Sequence, residues 1–217
     1  TEWVTPIEVD HRIVLGPYSS DLDATDLAWD GSALWYGNGY TDRGQLVRYD
    51  FDAEAELSAL DVGISAWGLA WDGANLWGSS NGNPSVYKVN MGNGATLVTS
   101  APMGAWIPGI AWDGTHLWAV SNNERTLYEY DPAADDVVGM TELGILQANP
   151  GGLEVADGAL YMALGDSVQK IDPGEMQVTQ AYRLPGMLIS GIAYDGTSFY
   201  LMGQEGQDVV LVKAALP

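Results

Sequence analysis

Short apolar runs broken by an Asp-Gly pair recur along this chain. "DLAWDGSALW" starts at Asp26, "GLAWDGANLW" at Gly68, "GIAWDGTHLW" at Gly109, "GLEVADGALY" at Gly152 and "GIAYDGTSFY" at Gly191. The starts lie 42, 41, 43 and 39 residues apart. Each run reads as strand, tight turn, strand, because Asp-Gly between apolar runs is a strong hairpin signal. A third strand-like segment begins 16 to 20 residues after each start: "LVRYD" (46–50), "VYKVN" (86–90), "LYEYD" (127–131), "VQKID" (168–172) and "VVLVK" (209–213). A fourth follows in four units: "AELSAL" (55–60), "ATLVTS" (95–100), "DVVGMT" (136–141) and "QVTQAY" (177–182). The fifth unit runs out of chain before it can make one, and "IEVDHRIVL" (7–15) at the other end is strand-like.

Four strands in each repeat of about 40 residues is the signature of a propeller blade. The pattern therefore predicts an all-β chain: a five-bladed β-propeller with four-stranded antiparallel blades, forming a single domain over 1–217. Strand 7–15 is expected to close the last blade, so that neither end leaves a long bare edge. Rings recur at fixed places in the repeat. Trp29, Trp71, Trp112 and Tyr194 share one position, and Trp35, Trp77, Trp118, Tyr161 and Tyr200 share another. Once-per-blade rings are expected to wedge between neighbouring sheets.

Composition narrows the partners. Twenty-nine acids against eight Lys and Arg give a net charge of −21. Phosphate binding needs clustered cations, so nucleic acid is not expected as a partner. No run reaches the 18 or more apolar residues of a spanning helix, so membrane insertion is not expected either. The acidity fits a secreted or periplasmic protein, and the chain begins at Thr1 as a processed product would; no signal peptide is visible. There is no cysteine, hence no disulfide and no thiol chemistry.

Alternating strands sort the loops onto two faces. Links entering the inner strands and links between second and third strands share one face, here called the top. The Asp-Gly turns lie on the other, the bottom. Trp3, Trp67 and Trp106 fall outside the repeat positions, and Trp67 and Trp106 stand just before the inner strands of neighbouring blades. The second-to-third links are rich in Asn, as in "GNGYTDRG" (37–44), "SSNGNPS" (79–85) and "SNNERT" (121–126). Aromatic platforms beside amide side chains suit a carbohydrate or another small polar ligand, and the candidates are Trp67, Trp106, Tyr40, Asn38, Asn81 and Asn122. The competing reading is that the tryptophans plug the channel and the Asn residues serve turns.

Two acids break the inner-strand pattern. Asp26 replaces the usual Gly, and Glu154 stands where the other units have Ala28, Ala70, Ala111 and Ala193. A carboxylate near the axis must be paired, hydrogen-bonded or protonated, which makes both candidates for shifted pKa and for chemistry. The alternative is satisfaction by backbone N–H groups. Asp26 also ends the acidic run "DLDATD" (21–26), where Asp21, Asp23 and Asp26 offer oxygens to Ca²⁺, without the spacing of an EF-hand loop. No other cofactor is expected. His11 and His116 are the only histidines, one in the closing strand and one in a bottom turn, so neither a histidine zinc site nor a triad is expected. No G-x-S-x-G turn and no Gly-Lys-Ser/Thr phosphate loop is present.

The repeat resembles the blades of secreted bacterial propellers of the NHL and YncE kinds, in which G-L-A-x-D-G-x-x-L-W recurs; that resemblance covers nearly the whole chain and implies architecture, not function. "LAWDGSALWYGNGYTDRGQLVRYDF" (27–51) and the Leu-Glu strand of "GLEVADGALY" (152–161) are also similar to blades of the five-bladed glutaminyl cyclotransferases of bacteria and plants. This resemblance implies an enzyme acting on N-terminal Gln, with Glu154 as general acid/base and Asp26 assisting. The chain departs from that family at the Glu before Gly of an inner strand, since the corresponding stretches read "ATD" (24–26), "AWG" (66–68), "IPG" (107–109) and "ISG" (189–191). Five-bladed lectins share the blade count but no motif. The leading expectation is a non-enzymatic binding or protein-interaction module with its site at the channel mouth on the top face. The cyclotransferase-like enzyme and a purely structural propeller are the alternatives.

Overall fold

In a computed structural model, residues 4–19, 22–38, 44–80, 82–144 and 148–216 are described, and among them there is no helix. Five antiparallel sheets stand around a central channel. Blade one is built from Leu27–Trp29, Leu34–Asn38, Gln45–Asp50 and Ala55–Asp61, counted outward from the axis. Blade two is Ala66–Trp71, Leu76–Ser80, Val86–Val89 and Thr96–Thr99, and blade three is Gly109–Trp112, Leu117–Ser121, Thr126–Asp131 and Asp136–Glu142. Blade four is Pro150–Ala156, Ala159–Leu164, Ser167–Asp172 and Gln177–Arg183. Blade five takes Leu188–Tyr194, Phe199–Glu205 and Asp208–Ala215 from the end of the chain and Glu8–Pro17 from its beginning. The N-terminal strand thus closes the ring as its pattern predicts. A feature the pattern does not announce precedes it: Val4–Pro6 adds a fifth, parallel strand outside Gln177–Arg183 of blade four. The N-terminal segment therefore ties blades four and five together.

The Asp of each repeated turn has two tasks. In blade two, Asp72 Oδ1 accepts the N–H groups of Ala74 (3.0 Å) and Asn75 (2.8 Å), which folds the turn. Its Oδ2 accepts the Trp77 indole N–H at 3.0 Å, which fixes the ring five residues on. The same pattern runs from Asp30 to Trp35, from Asp113 to Trp118 and from Asp195 to the Tyr200 hydroxyl. Third strands then add cations: Arg48 Nε lies 2.6 Å from Asp30 and Lys88 Nζ 2.7 Å from Asp72. Burial opposes ionisation of these turn carboxyls, but the hydrogen bonds outweigh it and hold Asp30, Asp72, Asp113 and Asp195 below the ordinary aspartate value. Blade four solves its turn differently. Its Asp comes one place later, and Asp157 (φ 50°) and Gly158 (φ 77°) supply the two left-handed residues of a mirror-image hairpin turn.

The core is five separate interfaces rather than one mass. Each interface receives one ring from the second strand of one blade and, in four of the five, a ring from the inner strand of the next. Trp35 and Trp71 meet between blades one and two, and Trp77 and Trp112 between two and three. Trp118 packs on Leu153, Leu160 and Ile171 between three and four. Tyr161 and Tyr194 both contact Phe199 between four and five. Trp29 stacks on Tyr200 across the closing interface, ring centres 5.7 Å apart and 5° from parallel. Since a turn carboxylate positions the second-strand ring in four of the five blades, turn chemistry and core packing are coupled there. Replacing Asp72 by Ala leaves two turn N–H groups, the Trp77 indole and Lys88 without their acceptor. The expected loss in unfolding free energy, measured with urea, is about 2–4 kcal/mol. A loss under about 0.5 kcal/mol, the range of ordinary surface changes, would uncouple turn from core.

Candidate functional site

The channel is knotted at one carboxylate. Asp26 is fully buried. Its Oδ1 accepts N–H from Leu27 (2.9 Å) and Ile192 (3.2 Å), and its Oδ2 from Leu69 (3.2 Å) and Ile110 (3.4 Å). Four inner strands, those of blades one, five, two and three, thus converge on one side chain. Blade four approaches without a bond but at contact distance: a Cβ on Gly152 would lie 2.0 Å from Asp26 Oδ1. Only glycine permits that approach. Burial pushes the Asp26 carboxyl well above the ordinary aspartate value, and the four N–H donors pull against it.

Above this knot the inner strands of three blades carry bulges. Trp67 and Gly68 together oppose Ser79, Gly151 and Gly152 oppose Ala163, and Ser190 is the extra residue between Ile189 and Gly191. Bulges bend a strand and re-aim its side chains. Here they open a cavity of about 480 Å³ at the top of the channel, bordered by Trp67, Asn122, Asp23, Thr25, Ser190 and Gln204. Hydroxyl groups brace the rim. Ser190 donates to the Thr25 carbonyl at 3.0 Å, Thr25 Oγ1 accepts Gly37 N–H at 2.9 Å, and Ser79 Oγ accepts Gly68 N–H at 2.7 Å while donating to the Ile107 carbonyl.

Trp106 stands next to the cavity, whose lining on this side is Trp67, Pro108 and Asn122. Its ring meets Trp67 edge to face, centroids 5.6 Å apart at 82°. It is 38% exposed and its φ is +58°, a left-handed angle that costs a bulky residue about 1–3 kcal/mol. The second-to-third link of the same blade holds it there: Asn122 N–H donates to the Trp106 carbonyl at 2.8 Å, and Ser121 Oγ donates to the Ala105 carbonyl at 2.7 Å.

Among the residues singled out in the sequence, Trp67, Trp106, Asn122, Asp23 and Asp26 come together at this mouth. Asn38 does not. It lines a separate groove with Ile13, Leu22, Tyr36 and Glu54, beside the closing strand. Tyr40, Asn81, Asp21 and Trp3 lie outside the described residues. The calcium reading of the acidic run rests in part on Asp21, outside the described residues; the other two carboxyls have partners of their own. Asp26 gives its oxygens to four N–H donors, and Asp23 Oδ1 accepts the neighbouring Ala24 N–H at 2.7 Å. Asn149 and Ser190 were not singled out in the sequence, whereas Gln204 belongs to the polar top-face link "GQEGQD" (203–208). They come from the links and bulges of blades four and five, where the repeat alignment carries no aromatic or charge anomaly.

Glu154 lies at the other end of the channel. It borders a smaller cavity of about 160 Å³ that is ringed by Trp29, Trp71, Trp112 and Tyr194. Its Oε1 accepts Val155 N–H at 2.7 Å and its Oε2 accepts Tyr194 N–H at 3.0 Å. Burial pushes its carboxyl up to about 8, against those two N–H donors. The two inner-strand acids therefore serve different cavities, each held by backbone donors.

With this geometry in hand, likeness to known proteins is informative about the fold. No family model and no curated protein matches the chain. Among solved structures, the glutaminyl cyclase of Myxococcus xanthus matches over 100% of both chains with a TM-score of 0.76 and 16% identity. The hydrazine synthase of Kuenenia stuttgartiensis matches 90% of this chain and 64% of its own, TM-score 0.57, 17% identity. An inactive virginiamycin B lyase from Staphylococcus aureus matches 90% and 67%, TM-score 0.55, 13% identity. At such identities the likeness establishes the propeller fold, in agreement with the resemblance read from the repeats.

The Glu154 environment sets a pH dependence. A carboxyl near 8 in the folded chain and near 4.5 when exposed keeps its proton longer in the folded state. Its contribution to stability is full below about 4.5 and is lost as pH rises towards 8. Glu154→Gln removes that loss. Against wild type, its melting temperature is expected to be similar at pH 4.5 and higher at pH 8.5, by on the order of 2 kcal/mol in stability. Parallel pH profiles for the two proteins would show that Glu154 ionises freely.

Proposed function

We propose that this propeller is a non-enzymatic binding module whose ligand, a carbohydrate or a similar small polar molecule with an apolar face, sits in the top cavity against Trp67 and Trp106. The observation that carries this reading is Trp106. A bulky ring is kept half out of water in a left-handed backbone conformation, where burial does not repay the strain. It packs edge to face on Trp67, which borders the cavity together with Asn122, Gln204, Ser190 and Asp23. Indole faces meet the C–H face of a sugar, and the amide, hydroxyl and carboxyl groups meet its hydroxyls. Asp26 supports the floor from within the ring and takes no part in ligand chemistry, since its oxygens are engaged.

A cyclotransferase reading is favoured by one observation, a glutamate whose carboxyl is pushed to about 8, suited to proton transfer near neutral pH. Against it, Glu154 borders the bottom cavity, away from the roomy mouth, and Asp26 borders the top one.

Indole fluorescence titrated with a panel of mono- and oligosaccharides tests the binding reading. At least one is expected to shift the emission, and Trp67→Ala and Trp106→Ala are each expected to weaken it by about tenfold or more. Binding unchanged in both variants, or no response to any sugar, contradicts a carbohydrate site. Release of a cyclised product from an N-terminal glutaminyl peptide by wild type, abolished in Glu154→Gln, would establish the enzyme reading instead.

A further inference from the structure

The bottom face of blade three reverses a charge that every other blade keeps. The third-strand residue paired with the anchored ring is Arg48 opposite Trp35, Lys88 opposite Trp77, Lys170 opposite Tyr161 and Lys213 opposite Tyr200. These cations serve the turn aspartate or sit over the ring. Arg48 and Lys88 bind Asp30 and Asp72, while Lys170 and Lys213 lie 5.6 and 5.4 Å from their tyrosine ring centres. Opposite Trp118 the residue is Glu129. Two carboxylates, Asp113 and Glu129, therefore face a place that holds a cation elsewhere in the ring. The turn changes with it: His116 stands where the matching turns have Ala33, Asn75 and Ser198.

We propose that Asp113, His116 and Glu129 form a binding site for a zinc-class divalent cation. One ligand atom from each of the three lies within 4.8 Å of the others. His116 Nδ1 is 2.8 Å from Glu129 Oε1 and 4.0 Å from Asp113 Oδ2. Tetrahedral zinc with bonds of ~2.0–2.2 Å needs ligand atoms about 3.4 Å apart, so small side-chain adjustments suffice. The Asp113 carboxylate is already oriented, with Oδ1 taken by the turn N–H groups of Thr115 and His116 and Oδ2 held by the Trp118 indole at 3.0 Å. Such an outer hydrogen bond is what fixes a ligating carboxylate. Glu129 is given room by the strand beside it. Its partner is Gly139, where the other blades have Ser58, Val98, Gln180 and His11, and a Cβ there would lie 2.8 Å from Glu129 Oε2. A nitrogen ligand with two oxygens selects zinc over calcium or magnesium, which prefer oxygen alone. The site borders a cavity of about 410 Å³ next to Gly158 and Pro173, which leaves the fourth corner open to water or an external donor. The histidine was discounted in the sequence because no second histidine accompanies it; folding brings the two carboxylates to it.

The ring supplies its own controls. Glu129→Lys and His116→Asn each rebuild part of the arrangement that blade two holds with Lys88 and Asn75, so both variants are expected to fold. Zinc chloride titrated calorimetrically into the full, chelator-treated chain is expected to bind one ion, with each variant weakened by about tenfold or more and Trp67→Ala unchanged. In imidazole NMR the His116 ring signals are expected to shift with zinc while those of His11, paired with Glu54, stay in place. No zinc binding, or equal binding by wild type and both variants, overturns the proposal and leaves His116 as the turn's own partner for Glu129.

Discussion

Everything in this ring leans on the way backbone N–H groups at the axis are satisfied. Inner strands of a narrow propeller turn donors towards a channel too tight for bulk water, and an unpaired buried N–H costs about 1–3 kcal/mol. Asp26 answers four of those donors with one side chain. The bonds join residues up to 166 apart in sequence. The carboxylate therefore acts as a cross-link between blades, in addition to their ring interfaces and to single bonds such as Ser190 to the Thr25 carbonyl and Tyr194 N–H to Glu154. Of the glycines at the equivalent repeat position, Gly152 follows from it, since a Cβ there would run into Asp26 Oδ1, while Gly109 and Gly191 are required by the close backbone of the neighbouring inner strand.

Once the axis is closed at that level, the channel becomes two unequal chambers. Above the knot, bulges at Trp67–Gly68, Gly151–Gly152 and Ser190 spread the strands and make the larger chamber. Below it, Trp29, Trp71, Trp112 and Tyr194 narrow the smaller one, and Glu154 satisfies two further N–H groups there. A pair of acids that look related in sequence are placed in separate chambers, each engaged by backbone. The larger chamber has a mixed aromatic and polar lining that includes Trp67, Asn122, Ser190 and Gln204.

Much of this was legible in the repeat. Period, turn chemistry and apolar alternation give blade count, strand order and ring closure, because those depend on local signals repeated five times. The departures from the repeat, Asp26, Glu154 and Trp67, stand out in the sequence, and folding places Asp26 and Trp67 at the top cavity and Glu154 at the bottom one. Their roles were harder to read. Asp26 matters through contacts with strands of other blades, which no local pattern encodes. The inner-strand bulges shift register by one residue and leave composition untouched, so Ser190 could not be assigned to the mouth. Asn38 was grouped with the mouth because it sits in an Asn-rich link, yet its strand directs it to a groove beside the closing strand. The charge reversal at Glu129 was present in the third-strand alignment, one column along from the rings, and becomes meaningful once Trp118 and Glu129 are seen to be paired.

The most direct test of the axial knot is the unfolding free energy of Asp26→Asn, measured in urea at neutral pH. The substitution keeps shape and volume but turns an amide NH₂ towards two of the four N–H donors. If the Asp26 side chain joins the blades, the loss is about 2–6 kcal/mol, from two buried N–H groups left facing an amide NH₂ at about 1–3 kcal/mol each. A loss below about 1 kcal/mol would mean that the blades hold together through their ring interfaces and remaining hydrogen bonds, with Asp26 a passenger in a channel that water can reach.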